Sequence, residues 1–510
     1  MRSRIFAHAL FVLAATAAMP CPALAIDAAA QTPAPSPPPK DAEARKQWLK
    51  GRIDEILSAT PLARAKISAV VMDPESGKLL YGRNEKTGLN AASNVKIATE
   101  AAALAMLGPE FRWKTTVLGA ISPEGGKVIS NGELRGDLYV KTSGDPTLTT
   151  QDLNALAASM YAVGLRKVRG GLVVDASAFD PSNLAPAFDQ KDDCAAFRAP
   201  SSAASLNSNT VTVTITAAAT AGAPARITVE PSSAALLVSG TVSTAAKGPA
   251  APSVETSDGG SGQTRITVGG RILLGSEPRV FQRRIVTPDA YFAQTFKQIL
   301  GKRGITVDKA ARGGDAPKEG LRVLASHESP NLAVVVHDLG KRSSNFAAEQ
   351  LLRTLGGESM GRPGTWQKGL EAVARYLESA GIPKGSYVMK NGSGLYDSNR
   401  FSAEQLAIIL RAATRDFRIA SEFLASLAVG GADGTLAHRM AGSAAERFVR
   451  AKTGTLANVS CLSGIVGAPS SKPLIFSILI NDVASPLAAR TAQDLVTATL
   501  VTYLDPTLAK

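Results

Sequence analysis

The chain has 510 residues, 45% hydrophobic, 19% charged and 5% aromatic, with a formal net charge of +13. That length exceeds what one compact core supports and indicates two or three domains. The ordinary polarity excludes a wholly disordered chain, and the sparse aromatics exclude a base-stacking nucleic-acid surface.

Residues 1–25 read as a secretory signal: Arg2 and Arg4, an apolar run from Ile5 to Met19, then Ala23-Leu24-Ala25 as a small-x-small cleavage site. The run is short for a membrane span. Cleavage after Ala25 removes two positive charges and no acidic ones, so +13 becomes +11. A basic exported protein suits an anionic partner or simply a solvated surface. No later run is long enough to cross a membrane, so membrane contact is at most peripheral. Residues 26–43 form an Ala/Pro/Gln-rich linker that is expected to be disordered.

A helix is expected near Ala44–Leu57, followed by a strand over Ile67–Met72, a turn, and a returning strand over Lys78–Tyr81. Residues 94–107 read as an Ala/Leu-rich helix stopped by Gly108-Pro109. From 113 to 325 the texture changes. Thr210–Ile215, Arg226–Glu230 and Arg265–Val268 alternate in period two, between Ala/Ser/Thr/Gly-rich stretches at 216–225 and 241–263 that read as loops. This is a large, mostly β insertion. Afterwards helices are expected over Asn345–Leu355, 365–380 and Ser402–Thr414. Strands over Val459–Val466 and Leu474–Asn481 and a helix over Pro486–Leu504 complete the chain. One sheet built from both chain ends is implied. The domains are then 44–112 with 326–510, interrupted by 113–325.

Two cysteines, Cys194 and Cys461, follow the signal. They can pair in an oxidising compartment, but Cys461 lies in an apolar run that suits a buried thiol. His327, His337 and His438 are not at ligand spacing from one another, so no metal site and no cofactor are expected.

Three short motifs carry the chemistry. In Ser93-Asn94-Val95-Lys96 the spacing puts Ser93 and Lys96 on one helix face. A serine needs a base to become a nucleophile, and a lysine whose pKa is lowered by burial is one. In Ser343-Ser344-Asn345 the serine can relay a proton between that lysine and a leaving amine. The Asn345 amide can orient the lysine and hold a substrate backbone. In Lys452-Thr453-Gly454-Thr455 a strand over 449–455 runs into the site. Lys452 supplies a cation and the threonines bind a carboxylate, while Gly454 is expected to leave room for a ligand along the strand edge. The backbone N–H groups of Ser93 and Thr455 form a candidate oxyanion hole. Each motif alone also reads as helix capping or an ordinary strand end. The ordered set does not.

With these residues the chain resembles the low-molecular-mass class C penicillin-binding proteins, the D-Ala-D-Ala carboxypeptidase/endopeptidase group of peptidase family S13 (the DacB or penicillin-binding protein 4 type). Further segments support the likeness: Leu107-Gly108-Pro109-Glu110-Phe111, Gly144-Asp145-Pro146-Thr147-Leu148, Gly170 to Asp175, and Asn391-Gly392-Ser393-Gly394-Leu395. The resemblance implies an α/β (α+β) fold: a penicillin-binding-protein/serine β-lactamase-like transpeptidase domain carrying the insertion. It implies a serine acyl-transfer enzyme acting on peptidoglycan peptides and acylated by β-lactams. Ser93, Lys96 and Ser343 would be catalytic; Asn345, Lys452, Thr453, Gly454 and Thr455 would bind substrate. Asp175 would reach the third residue of the stem peptide. Export to a periplasm is the implied location. The middle triplet is Ser-Ser-Asn where Ser-Asp-Asn is commoner. The glycine loop begins with Asn391, and Tyr396-Asp397-Ser398 stands where an arginine is common, which leaves open how the stem peptide's side-chain end is held. A β-lactamase on the same fold is the nearest alternative, but its deacylating glutamate motif is missing between the first two triplets. A non-catalytic wall-binding protein is the other. Oligomeric state is not legible.

Overall fold

The computed structural model describes residues 37–121, 128–469 and 471–508. The expected signal segment and linker residues 26–36 lie outside them. Helix α1 (Ala42–Leu57) starts two residues earlier than expected because Asp41 caps it, accepting from the Ala44 N–H at 2.8 Å. Strands β1 (Lys66–Met72) and β2 (Leu79–Arg83) form an antiparallel hairpin. A 3₁₀ turn, Ala92–Val95, precedes helix α2 (Lys96–Leu107). Every residue of α2 from Lys96 to Leu104 is buried. A helix buried all round normally carries apolar residues, so Lys96, Thr99 and Glu100 inside it mark a site.

The insertion folds around its own core, from Val117 to Ala325. A five-stranded sheet runs in the order Ala311–Gly313, Leu172–Asp175, Leu138–Lys141, Lys114–Ala120, Leu321–Glu328. Three three-stranded sheets and one two-stranded sheet accompany it among the described residues. Within the insertion two helices escaped the sequence reading: α3 (Thr150–Ala162), with a Thr149/Asp152 capping box, and α4 (Pro288–Arg303), with proline in its first turn. The stretch 241–263 is not loop throughout. It holds the strand Ser253–Gly260, whose composition of serine, acids and glycine hides it. Pairing with Gln263–Gly269 forms it, and it turns Val254 and Thr256 inward.

After the insertion the chain adds helices α5 (Leu332–Arg342), α6 (Asn345–Met360), α7 (Trp366–Ser379), α8 (Ala403–Arg415) and α9 (Ala420–Ser426). Strands β3 (Ala428–Val429), β4 (Val449–Leu456), β5 (Val459–Ala468) and β6 (Ser471–Asn481) then lead to α10 (Pro486–Leu504). The six strands form one sheet in the order β3-β4-β5-β6-β1-β2, with Ile67 opposite Ile480. The chain ends therefore share a sheet, as the patterning implied. Alternation sorts its side chains. Ala69, Val71, Leu462 and Phe476 pack with α1 and α10, while Val70, Met72, Cys461 and Ile475 pack with α2 and the helical lobe. Cys194 and Cys461 are both free.

Insertion and helical lobe meet at Arg353 of α6. Its fully buried guanidinium donates to the Ser201 carbonyl at 2.9 Å and to the carbonyl and carboxylate of Asp180. It also lies 4.4 Å from the Phe179 ring centroid and 4.2 Å from that of Trp366.

Candidate active site

Ser93 occupies the 3₁₀ turn and not α2 proper, which begins at Lys96. The spacing still brings them together: Lys96 Nζ is 3.0 Å from Ser93 Oγ. The same nitrogen reaches Asn345 Oδ1 at 2.8 Å and the Ser393 carbonyl at 2.6 Å. Lys96 has no exposed surface. Burial, then the neighbouring Lys452, hold its pKa well below the ordinary lysine value, against the pull of Glu349 and Glu100. That shift favours the neutral amine, the form in which an amine beside a serine hydroxyl can act as a general base.

Ser343 terminates α5 in the left-handed region, φ 57°. That geometry turns its hydroxyl towards β4, where Lys452 Nζ is 2.7 Å from Ser343 Oγ. The expected link from Ser343 to the first lysine is replaced by one to the second. Lys452 is also fully buried, and burial pushes its pKa down to about 8. Ser344 caps α6 by accepting from the Ala347 N–H, which starts that helix at Asn345. The Asn345 amide bridges the two lobes, with its oxygen accepting from Lys96 at 2.8 Å and its nitrogen donating to the Phe197 carbonyl at 3.1 Å, which leaves a second N–H and a second lone pair for a substrate.

Gly454 has a packing reason besides the one expected. A Cβ there would sit 2.8 Å from the Ala91 carbonyl oxygen and 3.0 Å from Asn94 Nδ2. The glycine lets β4 press against the nucleophile's turn, and Asn94 Nδ2 ties that turn to the Lys452 carbonyl at 3.1 Å. Thr453 pairs across the strands with Leu462 and so belongs to the α10 face, with its hydroxyl donating to Thr435 Oγ1 at 2.8 Å. β3 pairs only with Arg450 and Ala451, which leaves the outer edge of β4 without a strand partner from Lys452 onward.

Three residues were missed. Glu100, one turn beyond Lys96, is a buried carboxylate that accepts from Ser426 Oγ at 3.1 Å, and burial raises its pKa. Glu349 of α6 accepts from the Ser393 N–H at 2.8 Å and from Trp366 Nε1 at 2.9 Å. It fixes the loop whose Ser393 carbonyl meets Lys96. Phe197, 48% exposed, borders Asn345 from the insertion. An acid inside an otherwise apolar, alanine-rich helix was the one available signal, at Glu100. The Asn391 departure has a structural use: its nitrogen donates to the Pro186 carbonyl and to Ser398 Oγ, each at 3.0 Å, which an aspartate could not do. Asp175 lies in the insertion, 3% exposed, with its carboxylate accepting from the Ser177 and Ala316 N–H groups at 2.9 and 3.1 Å. Among the described residues no hydrogen bond or ion pair joins it to Ser93, Lys96 or Lys452. No group of three or more His, Cys, Asp or Glu able to hold a metal occurs among them either.

The family model described as the D-Ala-D-Ala carboxypeptidase 3 (S13) family matches residues 49–502. This chain belongs to that family. It is similar to a D-alanyl-D-alanine carboxypeptidase of Actinomadura sp., 34% identical over 473 residues, covering 90% of this chain and 86% of the relative. The DacB carboxypeptidase of Haemophilus influenzae is 26% identical, covering 82% and 85%. The crystal structure of penicillin-binding protein 4 (dacB) from Haemophilus influenzae superposes with a TM-score of 0.76 at 25% identity, over 86% of this chain and 98% of that one. The S13 chain is a serine-type D-Ala-D-Ala carboxypeptidase on a penicillin-binding-protein fold.

Proposed function

We propose that Ser93 attacks the carbonyl of a terminal D-Ala-D-Ala bond and forms an acyl-enzyme. Lys96 Nζ takes the hydroxyl proton. The developing oxyanion lies between the backbone N–H groups of Ser93 and Thr455, where losing one such donor typically costs ~3 kcal/mol of transition-state stabilisation. As the C–N bond breaks, that proton passes from Lys96 by way of Ser343 Oγ, held by Lys452, to the leaving nitrogen, which leaves Lys96 free to act as base again. The substrate backbone follows the unpaired edge of β4 towards Asn345, with Lys452, Thr453 and Thr455 around its terminal carboxylate. Gly454 keeps that strand against the turn. Asp175 would contribute from the insertion side. Water then attacks the ester, with Lys96 again as base, and frees the enzyme.

The observation that carries this reading is the buried Lys96 amine 3.0 Å from Ser93 Oγ. The same chemistry would cut D-alanyl cross-links between stem peptides, and β-lactams would acylate Ser93. A related structure from Haemophilus influenzae was solved in complex with a β-lactam. A periplasmic location fits a wall substrate and the signal read in residues 1–25. Intact mass after incubation with benzylpenicillin tests the reading: a lasting adduct is expected, absent in Ser93→Ala. An unmodified wild-type protein, or an adduct that persists in Ser93→Ala, would refute it.

A further inference from the structure

We propose that the cleft of about 550 Å³ flanking β4 on its α10 side is a subsite for leaving residues larger than D-alanine, those carrying a hydrocarbon arm and an anionic group. The proposal rests on the reading above, in which Lys452, Thr453 and Thr455 receive the carboxylate of the departing residue. Everything beyond those threonines, away from Ser93, then lies on the leaving side.

Thr453 and Thr455 form one wall of the cleft, Thr435 and His438 a second, and Leu487 with Arg490 of α10 the third. A departing alanine carries one methyl group and has no use for such a volume. The chemistry of the third wall states what would use it. Leu487 is 70% exposed, an apolar surface three residues and one helical turn from Arg490. The cleft holds two guanidinium groups of opposite status. Arg439 is neutralised by Asp494 at 2.6 Å. Arg490 has no side-chain hydrogen bond or ion pair among the described residues, although it lines the same space. An unpaired guanidinium beside an exposed leucine matches an aliphatic arm bearing a carboxylate.

Cross-linked wall peptides offer that chemistry. There the D-alanyl carbonyl is bonded to the side-chain amine of a diamino acid in a second stem. Attack by Ser93 breaks this C–N bond. The proton goes to the departing amine, and water later supplies hydroxide to the acyl group. The departing part is a long amine with its own peptide and carboxylates, and it must leave past β4 into this cleft.

The test compares two substrates on the full-length enzyme: an acyl-D-Ala-D-Ala peptide, followed by D-alanine release, and a purified cross-linked muropeptide dimer, followed by chromatography. In Arg490→Glu the ratio of dimer cleavage to D-alanine release should fall at least ten-fold, and Arg490→Lys should recover most of it. An unchanged ratio in Arg490→Glu overturns the subsite. So does a wild-type enzyme that releases D-alanine but leaves the dimer intact. A wild-type enzyme that cuts neither substrate overturns the peptidase reading beneath it.

Discussion

Gly394 offers a sharp test of how the nucleophile is held. Its φ is +79°, and a Cβ there would fall 1.9 Å from the Ala92 carbonyl oxygen and 3.2 Å from the Ser93 nitrogen. Real Cβ atoms essentially never approach a heavy atom closer than 3.0 Å, so Gly394→Ala must move loop and turn apart by at least 1.1 Å. The obstacle is backbone, not a side-chain tip that can swing aside. The strained φ itself costs ~1–2 kcal/mol. The displacement costs more, because a misplacement of about 1 Å at a reacting centre can cost ~100-fold in rate. Gly381→Ala is the control: φ there is +91°, yet nothing lies within 4 Å of the added carbon. Both variants should lose similar stability to the backbone strain. Only Gly394→Ala should lose about 100-fold in the rate of penicillin acylation, read by intact mass against time. Acylation within three-fold of wild type in Gly394→Ala would refute the argument that this contact positions Ser93.

The two lysines predict a bell-shaped pH dependence of kcat/KM. Lys96, held well below its usual pKa, works unprotonated, so the rate falls as acid protonates it. Lys452 works protonated and loses its charge as pH rises through about 8, so the alkaline limb should lie there. Glu100 favours the charged form of Lys452, and Glu100→Gln should move that limb to lower pH while keeping the hydrogen bond with Ser426. An unmoved limb would show that Glu100 is electrostatically silent. Arg353→Ala should lower the unfolding free energy by about 3 kcal/mol, measured by urea denaturation, because it leaves the Asp180 carboxylate without its buried partner. A loss under 0.5 kcal/mol would count against Arg353 as the pin between insertion and lobe.

The candidate serine–lysine pair was legible because local spacing brings the two side chains together. Ser93 and Lys96 sit three residues apart, and capping residues announced α6 and α8. Apolar runs announced β1 and β6, and the two halves of the catalytic domain did join in one sheet. What stayed hidden depends on contacts distant in sequence. Ser253–Gly260 is a strand only through its neighbour Gln263–Gly269. The partner of Ser343 is Lys452, 109 residues away, and nothing in the Ser-Ser-Asn triplet names it. Phe197 enters the site through its backbone carbonyl, which carries no side-chain signature. At Gly454 only one of two roles was legible, because a glycine at a strand edge serves ligand approach and chain packing equally well.

The joined chain ends also set a clock. Ile67 of β1 faces Ile480 of β6, more than 400 residues later. Between them β4 supplies Lys452 and the glycine against which the Ser93 turn is pressed. At a synthesis rate of roughly 5–20 residues per second, the first hairpin waits about 20–80 s for its neighbour. Throughout that interval Ser93 and Lys96 exist but lack the strand that completes their surroundings. A nascent chain halted before β4 should therefore be inert towards penicillin, so that the enzyme stays latent until β4 has been made.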